Sequence, residues 1–173
     1  MNRMSAAGAG ATAILLSACA TPPPTTPPVE ASFTSASAQA DVQKFVVLAS
    51  RTYAYGPDRK RTEKKGVPCT IKGKGFQVRY NSPANVRLPV YGLNTSELSM
   101  TCQYEGSTRF EALSVRNLTA ERIADSGSAG GLVGAIVAIS ISSARGNQPD
   151  DDYTYETPDM DLNRKPSSTP SSD

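Results

Sequence analysis

The 173-residue chain is 38% hydrophobic and 20% charged, which suits one compact domain with tails, and its formal charge of only +2 argues against a nucleic-acid protein. It contains no histidine, so imidazole metal sites, Ser-His-Asp and Cys-His nucleophilic systems and the usual general base near neutrality are excluded. Carboxylate chemistry remains open to an enzyme, but the acidic residues fall mostly in linkers or one terminal cluster, and no enzymatic role is expected.

The chain opens on a short positive start ending at Arg3, followed by a small and apolar run over residues 6–16 that Ser17 and Ala18 close. Charged region, apolar region and small-residue processing site form the layout of a secretory signal, which is set apart from fold reasoning. Leu16-Ser17-Ala18-Cys19 resembles the lipobox of bacterial lipoproteins: a hydrophobic residue, two small ones, then the cysteine that is lipidated. The resemblance implies that residues 1–18 are removed and that Cys19 carries a diacylglyceryl thioether and an amide-linked chain on its new amino group. Two or more acyl chains, at about 0.8 kcal/mol per buried CH₂, convert marginal membrane binding into stable attachment. Ala20, where an inner-membrane lipoprotein commonly has aspartate, implies the outer membrane, with the domain in the periplasm. The lipid is the only prosthetic group expected. A buried N-terminal helix with an incidental cysteine is the bland alternative, and it leaves the proline-rich segment that follows unexplained.

Residues 21–28 read Thr-Pro-Pro-Pro-Thr-Thr-Pro-Pro, a composition that favours polyproline II and would hold a domain about 25 Å from the lipid. A proline-recognition ligand competes with this spacer reading. Residues 31–39 are small and polar and continue the tether, which therefore runs over residues 19–40. Residues 44–55 admit two readings. Val42, Phe45, Leu48 and Ala49 fit one side of a short helix, whereas the β-branched and aromatic content favours a strand.

Gly56-Pro57-Asp58 breaks that run, and a basic stretch follows: Arg51, Arg59, Lys60, Arg61, Lys64, Lys65, Lys72, Lys74 and Arg79 against two acids give a local charge of +7. Such a patch attracts anionic lipid or lipopolysaccharide, peptidoglycan carboxylates or an acidic protein. The plainer reading is a solvated loop that offsets the acidic tail. Aromatics are not interleaved as stacking platforms, so no nucleic acid is expected.

Cys69-Thr70-Ile71, the turn Lys72-Gly73-Lys74-Gly75 and Phe76-Gln77-Val78-Arg79-Tyr80 predict a hairpin, with Phe76, Val78 and Tyr80 on one face. Residues 81–85 predict the next turn. Val86, Leu88 and Val90 then alternate with Arg87 and Pro89, and Pro89 places this strand at an edge or a bulge. In the strand after it Leu98, Met100 and Cys102 share the buried face. With Cys19 assigned to lipid, Cys69 and Cys102 are the two remaining thiols, and an oxidising export compartment pairs them as a structural disulfide. Neither a Cys-x-x-Cys motif nor an electropositive helix start supports redox catalysis.

The series Pro68, Cys69, Gly75, Ser82-Pro83, Val86, Leu98, Cys102 and Gly106 resembles a loose group of bacterial lipoproteins with PEGA-like or carboxypeptidase-regulatory-like β modules. The match covers residues 67–106, and Ser82-Pro83 stands where Thr-Pro is more usual. The group implies a small β-sandwich with a stapling cysteine pair and an envelope binding or structural role, and it brings no catalytic set.

Residues 108–115 predict a further strand through Phe110, Ala112 and Leu113, and residues 119–124 a helical or irregular crossover. No charge occurs over residues 126–144, and the strongly apolar centre at 132–141 is too short for a conventional spanning helix. Gly127, Gly130, Gly131 and Gly134 leave a small-residue face, so the segment is open to burial in the domain, to membrane contact or to an oligomer contact. Residues 150–161 carry a charge of −6 without the spacing of a calcium loop; no metal is expected, and the acids are assigned to the surface. Residues 153–155 and 160–162 predict short terminal β elements, whose acids would face the basic stretch. The Ser/Pro-rich end predicts disorder.

The expected fold is mainly β, a small β-sandwich stapled by one disulfide, with a Gly-rich insertion that is a candidate helix and disordered tails. Its divisions are 1–18 signal, 19–40 tether, 41–125 β-rich domain, 126–144 Gly-rich segment, 145–162 acidic stretch and 163–173 tail. The two resemblances imply a lipid-anchored envelope protein that acts as a binding or assembly module toward an envelope protein, peptidoglycan or lipopolysaccharide. A purely structural envelope protein, and an enzyme using Asp150, Asp152 or Glu156, are the alternatives.

Overall fold

The computed structural model describes residues 24–128 and 145–163. The chain is mainly β, and the ambiguous stretch of residues 44–55 is a single strand, β2 (Lys44–Tyr55). Its first half pairs antiparallel with β6 (Ala84–Val90), from Lys44↔Val90 to Ser50↔Ala84. Its second half pairs antiparallel with β3 (Arg61–Lys64) and parallel with β11 (Asp159–Asp161). The helical stripe does not form because Phe45 and Val47 stay exposed while Ser50, Thr52 and Ala54 are buried, a period of two rather than 3.6.

The second layer is a five-stranded sheet in the order β1 (Ser32–Phe33), β5 (Phe76–Ser82), β4 (Val67–Gly73), β7 (Leu98–Tyr104) and β8 (Ser107–Leu113). The predicted β4–β5 hairpin is present, with Cys69↔Tyr80 and Ile71↔Val78 in register. Its turn is shorter than the glycine pattern implied: Lys72 and Gly73 belong to β4, and only Lys74 and Gly75 connect the strands. Ile71, Val78, Met100 and Cys102 from this sheet, and Val86 and Leu88 from β6, are at most 1% exposed and make one core between the layers.

Residues 81–85 are not a hairpin turn. β6 pairs with β2 and not with β5, so the cis Ser82–Pro83 peptide is where the chain crosses from one layer to the other. Pro89 does sit at an edge. Beyond β6 lies a single parallel bridge, Val29↔Val86, in which Asn85 accepts from the Val29 N–H at 2.8 Å and the Arg87 N–H donates to Val29 at 2.9 Å. Residues 85 and 87 therefore face outward along the backbone; Pro89, two further on, faces the same way, so its missing N–H breaks no bond to β2.

Two expected divisions are corrected. Residues 24–40 are not free tether: the Asn85 amide donates to the Pro24 carbonyl at 2.8 Å, β1 pairs with β5, and α1 (Ala36–Ala40) is capped by Ser35 Oγ accepting from the Ala38 N–H at 3.1 Å. Val29 and Phe33 anchor this strap, the Phe33 ring lying 6.5 Å from Phe45 and 6.4 Å from Phe76. The acidic stretch is likewise no appendage. β10 (Tyr153–Tyr155) pairs with β9 (Val115–Asn117), and Tyr153, Tyr155, Met160 and Leu162 are buried. Between β9 and this segment, α2 (Leu118–Ser128) fills the predicted crossover and takes in the start of the Gly-rich run.

The predicted disulfide joins Cys69 to Cys102, directly opposed residues of β4 and β7 with Cα atoms 4.1 Å apart. Both point inward with Ile71 and Met100.

Candidate functional site

Where the N-terminal strap meets the sandwich, a cleft of about 600 Å³ opens between α1, the β4–β5 turn and the segment after β6. Two glycines let the walls approach. Gly75, at φ +83°, turns the hairpin, and a Cβ there would stand 2.6 Å from the Cβ of Ala38. Gly92, at φ +59°, lies against the carboxamide of Gln43. The lining includes Asp41 and Lys74 together with the polar side chains of Ser37, Gln43, Tyr91 and Asn94. The Tyr91 hydroxyl is buried with no hydrogen-bond partner among the described residues, and burial, then the charge of Asp41, pushes its phenol above the ordinary range. One ammonium, one carboxylate and an unpaired phenol form a recognition set for a small polar or zwitterionic group. Sequence reading named only Lys74 here, because the cleft is assembled from three separate stretches, residues 37–43, 74–75 and 91–94.

The nine basic residues do not form one patch. Arg51 is 8% exposed, and its Nη1 donates to Glu63 Oε1 at 2.7 Å. Arg61 lies 3.5 Å over the Tyr53 ring and donates to Asp161 Oδ1 at 2.8 Å, so the tail does meet the basic stretch at this residue. Arg59, Lys60, Lys64 and Lys65 lie on or beside the β2–β3 hairpin, where Lys60 pairs with Asp58 at 3.6 Å. Lys72 and Arg79 are on the solvent face of the other sheet, and Lys74 is in the cleft. Counting charge along the chain missed that strand pairing sends neighbours to different layers.

The acids assigned to the surface are in part structural. Asp151 is 7% exposed and forms an ion pair with Arg145 at 2.5 Å, while Asn117 Nδ2 and the Gln148 N–H donate to its Oδ2 at 2.7 and 2.9 Å. Asp152 holds Lys44 and, at 2.9 Å, Arg122. Together they tie α2 and β9 to the start of β2. Of the acids named as candidates, Asp152 is in two ion pairs, and Glu156 Oε2 accepts the Ser114 N–H at 3.4 Å.

Burial alone would push the Asp151 carboxyl up, but Arg145, the Gln148 N–H and Asn117 outweigh it and hold the group at about 2. Because the folded value lies below the ordinary 3.8, this contribution to stability is complete above about pH 4 and is lost as pH falls toward 2. Urea midpoints measured from pH 7 to pH 2 should fall across that window. Asp151→Asn should start lower at pH 7 and fall less; parallel curves for the two proteins would refute the assignment.

Cys19, the other lipobox residues Leu16, Ser17 and Ala18, and Gly130, Gly131 and Gly134 lie outside the described residues, while Gly127 is in the last turn of α2. Among the described residues no helix is long and apolar enough to cross a membrane. No protein-family model, curated protein or solved structure matches the chain.

Proposed function

We propose that the chain is a lipid-anchored cell-envelope protein, tethered through Cys19 to the periplasmic face of the outer membrane, that serves as a binding or assembly module. The observation that carries the reading is Leu16-Ser17-Ala18-Cys19 at the end of a signal-like segment, with Cys19 the one cysteine outside the Cys69–Cys102 disulfide. The disulfide agrees with an oxidising compartment.

Pro24, the first described residue, already touches the domain; it stands five residues after Cys19, and five residues span at most about 18 Å. The domain would therefore ride close to the lipid, with the Asn85 end of β6 nearest the bilayer, rather than at the end of a long spacer. The cleft between Asp41, Lys74 and Tyr91 is the site offered to an envelope ligand, such as a peptidoglycan stem-peptide terminus with its paired charges.

Cys19→Ala tests the anchor. The native chain should incorporate labelled palmitate and sediment with membranes, whereas the variant should take up no label and leave the membrane fraction on carbonate extraction. Unchanged labelling or full membrane retention of the variant would overturn the proposal.

A further inference from the structure

β8 ends the five-stranded sheet, and Phe110 at its centre is 69% exposed, the highest value among the exposed large apolar residues described. Among the described residues this edge is unpaired over a defined length. At Ser114 the backbone turned away from β7 is already taken, its carbonyl by the Glu156 N–H at 3.0 Å and its N–H by Glu156 Oε2 at 3.4 Å. At the other end the chain reverses through Glu105 and Gly106, both at positive φ. Counting back in twos from Ser114, the N–H and C=O groups of Ala112, Phe110 and Thr108 point to the same open side. Edges of this kind are normally covered or blunted.

The sequence of the strand, Ser107-Thr108-Arg109-Phe110-Glu111-Ala112-Leu113, is complementary to itself when reversed about Phe110. Antiparallel alignment of two copies sets Arg109 opposite the partner's Glu111 and Glu111 opposite the partner's Arg109, with the two Phe110 rings adjacent on the solvent face. The outward groups at residues 108, 110 and 112 all find partners in that register, about six backbone hydrogen bonds in total. Among the described residues neither charge is fully matched within the single chain. Arg109 Nε is buried without an acceptor among the described residues, and partial burial together with Asp161, Glu156 and Asp159 pushes the Glu111 carboxyl above its usual range.

We propose that β8 is a homodimerisation edge: two copies of the chain pair antiparallel through residues 107–113 about a two-fold axis at Phe110, joining their five-stranded sheets into one. The partner is a second copy, because a strand with two like charges would repel itself, whereas this one offers each charge its opposite at the symmetric position. The inference does not depend on the lipid anchor.

Sedimentation equilibrium of the full chain in density-matched detergent should give a dimer. Arg109→Glu and Glu111→Arg, each of which brings like charges face to face, should weaken it at least tenfold, and the double variant R109E/E111R should restore it. Restoration also separates lost pairing from lost folding, since a misfolded single variant gives no reason for the swap to recover. Register is read by short thiol crosslinking: T108C mixed with A112C should join, and neither alone should. A monomeric native chain, a dimer indifferent to the single reversals, failure of the double swap, or a missing T108C/A112C product would each overturn the proposal. So would dimerisation that begins only when residues 164–173 are deleted, which would assign the edge to the chain's own tail.

Discussion

Replacing Cys69 and Cys102 together by alanine should lower the free energy of unfolding by about 3 to 4 kcal/mol, the entropic stabilisation of closing a loop of this length. Domains of this size are stable by only about 5 to 15 kcal/mol, so the bridge supplies a large fraction of the total. The position of the bridge explains why the effect should approach the full chain-entropy value. Cys69 and Cys102 are opposed on adjacent central strands, and the 33-residue separation encloses β5, the crossing at Pro83, β6 and the turn at Gly92–Asn94. In the unfolded chain the bridge restrains both the sheet and the one step that places β6 in the opposite layer. Denaturant titrations of the native chain with and without reductant, alongside C69A/C102A, measure this: reduced native protein and variant should coincide, well below the oxidised midpoint. A difference under about 1 kcal/mol would mean that the enclosed segment stays ordered without the bond. Under reducing conditions the chain should accordingly reach its stable form only once the bond is allowed to close.

The parts of this architecture that could be read beforehand are those whose signal is local. In β4, β5 and β7 every second residue is apolar over the first five positions, so Ile71, Val78 and Met100 declare their face without knowledge of a partner strand. β2 had no such clarity. Val42, Phe45, Leu48 and Ala49 satisfy a helical stripe, and the choice is made by β6, about 40 residues on, and by β11, more than 100 residues on. Pro83 marks a break between strands, but residues 81–85 do not say whether the next strand stays in the sheet. The same gap hid the site: Arg51 and Arg61 count as free charge until Glu63 and Asp161 are brought beside them, and the cleft needs α1, which composition had given to the tether. Short segments with few apolar residues, such as residues 29–33 and 153–162, are the hardest to place, because two or three buried side chains in each do the anchoring.

Tyr155 is the sharpest test of that last point. It is 2% exposed, and its hydroxyl donates to the Pro89 carbonyl at 2.8 Å, on the outward-facing side of β6 where the edge would otherwise leave an acceptor buried and unmatched. Burial first, then the neighbouring Tyr91, raises its phenol above the ordinary range, so the donor stays protonated throughout the pH range of a stable fold. Tyr155→Ala should cost about 3 to 5 kcal/mol, comparable to removing the disulfide. Tyr155→Phe keeps the ring and removes only the donor, so it should cost about 1 to 2 kcal/mol, chiefly the penalty of an unpaired carbonyl. The ratio matters more than either value. If the acidic C-terminal stretch were an appendage on a finished sandwich, both substitutions would be nearly silent and a chain ending before residue 145 would fold. With Tyr153, Tyr155, Met160 and Leu162 in the core and β11 laid along β2, that truncated chain should instead bind a hydrophobic dye and unfold without a cooperative transition. Cooperative melting of the truncated chain at the native midpoint would show that the core closes without its last two strands.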